Sequence, residues 1–322
     1  MALKPTDSQH ALQILAGKSG RKRGHKFESE LTNLINSRTF PAQANKLNSN
    51  VIKGDPAVLL ISKALRYLNW EQCDNVTAIA LGALATAEEG KKWLKVNGIA
   101  VKACKSDILL TLSKGTTVET VGVSVKQCYT RRPTNAQLYF TTATAFCRLL
   151  ERNDIQVTEN AIIALRQFCG DKGYRPLDEP EILRGRNTNP RRYFWEETQS
   201  RGRKELEKIM SSKQNEITKL LLQKAYPDDP FPPYLLIHKT RKLDEDEQEF
   251  ALYDIDELVN LSREYSGFST KLYTVRKGQY KDPVGIQHEA PRFGIIQMQR
   301  GGQKQHPTQL QFNLQAGYFY KI

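Results

Sequence analysis

The segment ETVGVSVKQCY, residues 119–129, constrains the fold of this chain more than any other feature. In this segment apolar residues alternate with small or polar ones, Val121, Val123 and Val125 with Gly122, Ser124 and Lys126. Successive side chains of a β-strand point to opposite faces, so the spacing predicts a strand with a valine face toward the core. Ser124 and Lys126 should then lie together on the other face.

The segment just before this one, GIAVKACKSDILLTLSKG, residues 98–115, is predicted to form a pair of strands around Lys105 to Asp107, of which the second leads into the strand above. The residues SKGT, 113–116, provide the turn between that second strand and the strand above. Such a turn brings Asp107 beside Ser124 and Lys126. The sequence therefore predicts that a carboxylate, a hydroxyl and an amine meet at one end of a hairpin.

Several amphipathic helices are predicted from apolar residues at helical spacing. In FESELTNLI, residues 27–35, apolar side chains recur at i, i+4, i+7 and i+8. Similar patterns predict helices over 56–69, 74–94, 134–152, 158–169 and 200–225. Strands between helices predict an α/β (α+β) core in which a mixed central sheet is flanked by helices.

Domain boundaries are predicted from changes in composition. Residues 181–225 are rich in Arg and Lys and begin with a stretch interrupted by Pro and Gly, which is typical of a boundary. From residue 226 onward, short strand-like runs alternate with Gly, Pro and Asp. The sequence predicts a core over 1–180, a basic helical connector over 181–225 and a β-rich module over 226–322.

The balance of charge favours a polyanionic partner. The chain has 48 Lys and Arg against 35 Asp and Glu, a formal net charge of +13. This surplus favours nucleic acid, because Lys and Arg neutralise phosphates and release counterions. No apolar run is long enough to span a membrane, and the start MALKPTDSQH does not resemble a signal peptide, so a cytoplasmic protein with no membrane partner is expected.

The five cysteines and five histidines do not have the spacing of a zinc site. No CxxC or HxxxH pair occurs, and most of the cysteines have apolar neighbours. Zinc hydrolases and zinc-binding modules are therefore disfavoured, and the cysteines are expected to be reduced core residues.

Asp107, Ser124 and Lys126 suit metal-assisted hydrolysis of a phosphodiester. A carboxylate can bind Mg²⁺, and an adjacent lysine can stabilise a hydroxide or the charge that develops on the phosphate. The same Asp and Lys also fit an alternative, a solvated ion pair between neighbouring strands, because such pairs are common on protein surfaces.

The residues SDILL followed by GVSVK resemble the core of PD-(D/E)xK nucleases, in particular type II restriction endonucleases. The resemblance covers residues 22–170 approximately. Asp107 matches the strand-borne acid of the motif, and Lys126 matches its lysine. Ser124 takes the place of the second acid, as in branches of the superfamily where a Gly-x-Ser-x-Lys form occurs.

In those branches a glutamate on the preceding helix supplies the missing carboxylate, and GHKFESEL, residues 24–31, resembles that helix. Helical spacing places both Glu28 and Glu30 at the borders of its buried face. The family's pattern favours Glu28 as the second metal ligand beside Asp107, while geometry leaves Glu30 open.

The resemblance implies a type II site-specific deoxyribonuclease that uses Mg²⁺ and acts on double-stranded DNA. It implies products with 5′-phosphate and 3′-hydroxyl ends, a methyltransferase partner that protects host DNA, and a homodimer as one arrangement. Two other functions remain open from the residues alone. They are a repair or recombination nuclease that acts on DNA structure, and a non-catalytic DNA-binding protein in which Asp107 and Lys126 form a structural pair.

Residues that contact DNA are predicted in two places. The C-terminal segment 293–314 resembles the strand-turn-strand of some restriction endonucleases, and its side chains suit base edges in the major groove: Arg300, Gln303, Lys304, His306 and Gln309. An exposed polar hairpin without a partner is the alternative. Arg191 and Arg192, beside Tyr193, Phe194 and Trp195, suit a phosphate clamp, although these aromatic residues fit a domain interface equally well.

Overall fold

The structure is a computed structural model that describes residues 22, 24–45, 47–81, 95–96, 99–100, 104–127, 136–239, 248–274, 285–300 and 308–315. The described helices are α1 (24–36), α2 (Pro56–Tyr67), α3 (Ala143–Glu151), α4 (Glu159–Cys169), α5 (Pro180–Arg184), α6 (Ser200–Ser212), α7 (Gln214–Gln223) and α8 (Ile255–Leu261). The described strands are β1 (Ala42–Gln43), β2 (Val51–Lys53), β3 (Gln72–Cys73), β4 (Asn75–Ala80), β5 (Lys95–Val96), β6 (Ile99–Ala100), β7 (Ile108–Lys114), β8 (Thr117–Gln127), β9 (Ala136–Thr142), β10 (Pro233–Lys239), β11 (Glu249–Asp254), β12 (Phe268–Thr274), β13 (Gln287–Phe293), β14 (Ile296–Arg300) and β15 (Gln309–Leu314).

These elements form two compact units, each built from separate stretches of the chain. Unit I contains the described residues of Pro5–Ala136 and Lys219–Leu261. Unit II contains Gln137–Thr218 and the described residues of Ser262–Gln315. The fold class predicted from the sequence is confirmed, because helices and a mixed sheet occur in one unit and an antiparallel sheet in the other.

Unit I is organised around a six-stranded sheet in the order β2-β11-β10-β8-β7-β4. Strands β4, β7 and β8 are antiparallel neighbours, whereas β10 runs parallel to β8. The far edge is completed by β11, antiparallel to β10, and by β2. Strands β7 and β8 therefore lie well inside the sheet, where their positions are fixed by partners on both sides.

The valine face of β8 packs into the core as predicted. Val121, Val123 and Val125 are all buried, and they cluster with Leu235 and Ile237 of the parallel strand β10. Helices α1 and α2 contribute the apolar side chains that cover this cluster. Burial of so many aliphatic side chains supplies the hydrophobic free energy that holds the sheet against the helices.

Helix α1 turns one predicted side chain outward. Phe27, Leu31 and Ile35 are buried, but Leu34 is 40% exposed. The Phe27 ring stacks on Phe250 of β11 with a centroid distance of 6.4 Å. This contact fixes the rotation of the helix about its axis, and that rotation decides which polar residues of α1 face the sheet.

Unit II contains a five-stranded sheet in the order β12-β13-β14-β15-β9. The aromatic residues of segment 193–195 are all buried in this unit. The Trp195 ring meets Phe168 edge to face at 5.4 Å and lies 5.9 Å from Phe268 of β12. These aromatic residues therefore belong to the interior of unit II, and their burial accounts for their presence in a basic stretch.

Three helix predictions were wrong in part. Residues 75–80 of the predicted helix 74–94 form β4, and residues 136–142 of the predicted helix 134–152 form β9. Both are strands because each finds an antiparallel or sheet neighbour, which outweighs the helix propensity of their alanines and leucines. The predicted helix 200–225 is two helices, with the break at Lys213.

The predicted domain boundaries also differ from the two units. Strands β10 and β11 were assigned to the C-terminal module, yet they complete the central sheet of unit I. The run YLLIH reads as one apolar stretch because β10 is an interior strand between β8 and β11, and Leu235, Leu236 and Ile237 are fully buried. A continuous apolar run of this kind is a signal for a central strand rather than for a surface module.

Among the described residues, none of the helices combines the length and the apolar character needed to cross a membrane.

Candidate active site

The β7–β8 hairpin places Asp107 immediately before its first paired residue. Ile108 is opposite Val123, and the pairing continues to Lys114 opposite Thr117. The turn contains Gly115 with φ of +57°, a conformation that glycine adopts without strain. Asp107 and Lys126 therefore lie at the open end of the hairpin, away from the turn.

Three groups converge on the Oδ2 atom of Asp107. The Val125 N–H donates to it at 2.7 Å, and the Ser124 hydroxyl donates at 3.3 Å. The Lys126 Nζ atom donates at 3.1 Å. The structure therefore brings together three of the predicted site residues, Asp107, Ser124 and Lys126, around one carboxylate oxygen.

The backbone on both sides of Asp107 is held in place. Its N–H donates to the Val123 carbonyl at 2.9 Å, and its carbonyl accepts from the Leu81 N–H at 2.8 Å. The preceding Ser106 donates both its hydroxyl, at 2.8 Å, and its N–H, at 3.2 Å, to the Phe231 carbonyl. The carboxylate thus projects from a rigid segment, which is a condition for a precise catalytic site.

Gly122 allows the strand β8 to pass close to this segment. A Cβ atom at this position would overlap the Ser106 hydroxyl and the Pro232 carbonyl oxygen. Only glycine fits between these two atoms without displacing them. The glycine of GVSVK is therefore explained by packing against residues 106 and 232 of unit I.

The Val125 carbonyl provides another oxygen at the site. It accepts from Lys126 Nζ at 3.1 Å, the same nitrogen that donates to Asp107. The Lys126 cation thus lies between a carboxylate oxygen and a carbonyl oxygen. These two kinds of oxygen are ligands that Mg²⁺ accepts in proteins.

Glu28 of α1 is buried at the same end of the hairpin. Its residue is only 6% exposed, and its Oε2 atom is buried without a hydrogen-bond partner among the described residues. Burial, together with the nearby negative charge of Asp107, raises the pKa of Glu28 to about 7, and the positive charge of Lys126 lowers it by less. A buried carboxylate with an unsatisfied oxygen is costly unless a cation or proton compensates it.

Glu30 differs from Glu28 in its exposure to solvent and in its partner. Its side chain is 52% exposed, and it forms a surface salt bridge of 3.6 Å with Lys26. The rotation of α1 therefore turns Glu28 toward Asp107 and Glu30 toward solvent. Of the two glutamates that helical spacing left open, Glu28 is therefore the one buried near Asp107.

Two basic residues near the site were not among the predicted site residues. Lys105 is half-buried, and burial, together with the positive charge of Lys126, lowers its pKa to about 7. His238 of β10 is fully buried opposite Lys126, and burial lowers its pKa to about 4. The apolar run YLLIH contained the signal for His238, because a histidine that continues a buried interior strand lies beside a residue of the neighbouring strand.

The predicted DNA-binding residues belong to unit II or lie outside the described residues. Arg191 is exposed, Arg192 is partly buried, and Arg300 ends β14. Gln309 begins β15. The predicted residues Gln303, Lys304 and His306 lie outside the described residues.

The residues present fit Mg²⁺. In the described part of the chain no cluster of three or more His, Cys, Asp or Glu side chains is placed to hold a metal ion, so the two carboxylates near Lys126 are fewer than such a cluster needs. Mg²⁺, by contrast, is usually bound by one or two carboxylates and keeps several waters. Asp107 and Glu28 would be those carboxylates, with the Val125 carbonyl as a further ligand, and Mg²⁺ would satisfy the unpartnered Glu28 oxygen.

The raised pKa of Glu28 predicts how Mg²⁺ affinity depends on pH. Below pH 7 the carboxyl is protonated, so Mg²⁺ must displace a proton, and lower pH also adds charge to Lys105. We expect Mg²⁺ to bind ~100-fold or more weakly at about pH 5 than at about pH 8, as measured by calorimetry on the DNA-free protein.

Glu28→Gln should bind Mg²⁺ more weakly at high pH. Binding of Mg²⁺ to this variant should release about one proton fewer, and the pH dependence of the affinity that remains should come from Lys105. Glu30→Gln is the matched control and should leave both the affinity and the pH dependence unchanged. Equal effects of the two variants would show that Glu28 has no special part in the site.

Comparison of the sequence with models of known protein families gives no match, and comparison with curated proteins gives none either.

Proposed function

We propose that this chain is a Mg²⁺-dependent endonuclease that hydrolyses phosphodiester bonds of double-stranded DNA at specific sequences. The single observation that carries the proposal is the arrangement at the open end of the β7–β8 hairpin. There Asp107 accepts hydrogen bonds from Ser124 and Lys126, and the buried Glu28 has an unpartnered oxygen. This arrangement supports the resemblance to type II restriction endonucleases.

A purely structural ion pair explains less of this arrangement than a catalytic site does. The side chains of Lys126 and Asp107 are 17% and 24% exposed, and the Arg186–Glu197 pair of this chain is buried to a similar degree, so burial of the pair does not decide between the two roles. A structural role, however, gives no reason for burying a second carboxyl beside Asp107. Perturbed carboxyl pKa values of this kind are concentrated at functional sites.

Each site residue has a separate role in the proposed reaction. Asp107 and Glu28 would hold the metal, which would polarise the scissile phosphate and lower the pKa of a water. Lys126 would place its positive charge beside the reacting phosphate and stabilise the charge that develops there. Ser124, whose hydroxyl donates to Asp107, orients the carboxylate rather than replacing the second acid of the motif.

The charge of the chain supports DNA as the substrate. A formal charge of +13 attracts a polyanion, and residues 181–224 of this chain carry 11 Lys or Arg against six Asp or Glu. Of the predicted base-reading residues, Arg300 and Gln309 belong to unit II, on β14 and β15, while the candidate catalytic residues belong to unit I. We propose that unit II supplies sequence recognition, and that a methyltransferase modifies the same sequence to protect host DNA.

The experiment is to incubate the purified chain with phage DNA and Mg²⁺, and in parallel with EDTA. Discrete fragments that appear only with Mg²⁺ are expected, and sequencing of their ends should give one recurring sequence. Ligation of the fragments without prior treatment tests for 5′-phosphate and 3′-hydroxyl ends.

A smear in place of discrete fragments would contradict sequence specificity and favour a nuclease that acts on DNA structure. Absence of cleavage, together with salt-sensitive DNA binding that needs no metal, would contradict the enzyme altogether. In that case the chain would be a non-catalytic DNA-binding protein.

A further inference from the structure

A pocket opens in unit II where two strands separate. Within the described residues 285–300, β13 and β14 pair only at Arg292 with Gln297 and at Phe293 with Ile296. Beyond these pairs β13 continues along β12, whereas β14 continues along β15. The gap between the two strands forms a pocket of about 420 Å³, a volume within the range of small-ligand sites.

Positive charge dominates the lining of this pocket. Arg192, Lys271 and Arg300 contribute cations, and Glu289 is the acidic residue of the lining. The Nε atom of Arg192 is buried and has no hydrogen-bond partner among the described residues. A buried guanidinium N–H without an acceptor is unfavourable, so an anionic ligand in the pocket would satisfy it.

The rest of the lining suits a nucleobase. Tyr273, which is 37% exposed, presents an aromatic ring on which a base can stack, whereas Phe168 is buried and closes the inner end of the pocket. Gln297 and Gln299 lie two residues apart on β14 and therefore share one face. Gln and Arg side chains form paired hydrogen bonds with the edges of adenine and guanine.

We infer that this pocket binds one nucleotide extruded from the DNA duplex, with its base stacked on Tyr273 and its phosphates against Lys271 and Arg192. The inference rests on the proposed function, because it takes double-stranded DNA to be the partner. Extrusion exposes the Watson–Crick edge of a base, which stacking hides in a duplex. The pocket would thus let unit II read one base completely.

The test compares two short duplexes that differ by one unpaired nucleotide at the centre of one strand. Binding to the full chain is measured by fluorescence anisotropy in EDTA, so cleavage has no part in the result. Because an unpaired base has no base pair to break, its extrusion costs less, and we expect this duplex to bind ~10-fold or more tightly than the perfect duplex. A mixture of free deoxynucleotides is added as a competitor. It distinguishes a site for free mononucleotides from a site for a nucleotide extruded from a duplex.

Two variants connect the preference with the pocket. Lys271→Glu and Tyr273→Ala should each reduce the preference for the unpaired nucleotide from ~10-fold to no more than ~2-fold. Lys208→Glu is the matched control, since Lys208 is exposed on α6 and outside the pocket. It should leave the ratio of the two affinities unchanged.

A second readout locates the base directly. With 5-iodouracil as the unpaired base, ultraviolet light should crosslink it to the peptide that contains Tyr273 or Phe168. Equal affinity for the two duplexes, crosslinks elsewhere, or displacement by free nucleotides without a preference for the unpaired base would each overturn the inference. Loss of this preference would leave metal-dependent cleavage intact, and failure of cleavage would leave the preference intact, so the two proposals fail separately.

Discussion

Asp107→Asn is expected to abolish Mg²⁺-dependent cleavage, with a loss of ~10³-fold or more in rate. An asparagine side chain is isosteric and can still accept the hydrogen bond from the Val125 N–H, so the hairpin should keep its conformation. It has no negative charge, however, and therefore cannot replace the carboxylate as the ligand of a divalent cation. The cleavage rate and the Mg²⁺ affinity should therefore fall together, while the melting temperature changes little.

The control for this variant is Asp74→Asn. Asp74 accepts a hydrogen bond of 2.6 Å from the Gly115 N–H, so it lies at the turn end of the hairpin, opposite to Asp107. This substitution makes the same change of charge at a residue that contacts the same hairpin but is remote from the proposed metal. Undiminished cleavage by Asp107→Asn, or an equal loss in Asp74→Asn, would refute the assignment of Asp107.

The hairpin could be predicted from the sequence because its information is local. Alternation of valines with polar residues gives the strand, the glycine-containing turn gives the register, and the register brings Asp107 to Ser124 and Lys126. All of these residues lie within one short segment of the sequence, residues 107–126. No contact with a distant segment is needed to decide which side chains meet.

The position of Glu28 depends on distant contacts and could not be predicted in the same way. Helical spacing puts Glu28 and Glu30 at opposite borders of one apolar face, and it does not decide which border faces the sheet. Stacking of Phe27 on Phe250, residues far apart in sequence, fixes the rotation of α1. Tertiary packing therefore determines which of the two glutamates faces the sheet.

Strands β4 and β10 illustrate the same limit. The alanine-rich sequence around β4 favours a helix by propensity, but pairing with β7 from Asn75 to Ala80 makes it a strand. Strand β10 is distant from β8 in sequence, yet it is its parallel neighbour, and it thereby places His238 opposite Lys126. Such long-range pairing assigns residues to a unit irrespective of their order along the chain.

Lys126→Ala is expected to reduce the cleavage rate by ~10²-fold or more while DNA binding is retained. The lysine acts on charge at the reacting phosphate, so its loss affects the transition state more than the bound state. Val125 and Ser124 still donate to Asp107 in this variant, and the carboxylate should stay in position. Binding is measured with Ca²⁺ in place of Mg²⁺, and single-turnover cleavage is measured with Mg²⁺.

The alternative, a purely structural ion pair, predicts a different outcome for the same variant. Loss of a half-buried pair should then lower the free energy of unfolding by ~1 kcal/mol and leave the cleavage rate nearly unchanged. Lys114→Ala controls for charge, because Lys114 is at the turn end of the hairpin, 6.0 Å from the Trp70 ring. Lys126→Arg keeps the positive charge and should recover part of the rate if charge at the phosphate is what matters. A Lys126→Ala protein that cleaves at the wild-type rate would show that the reacting phosphate lies elsewhere.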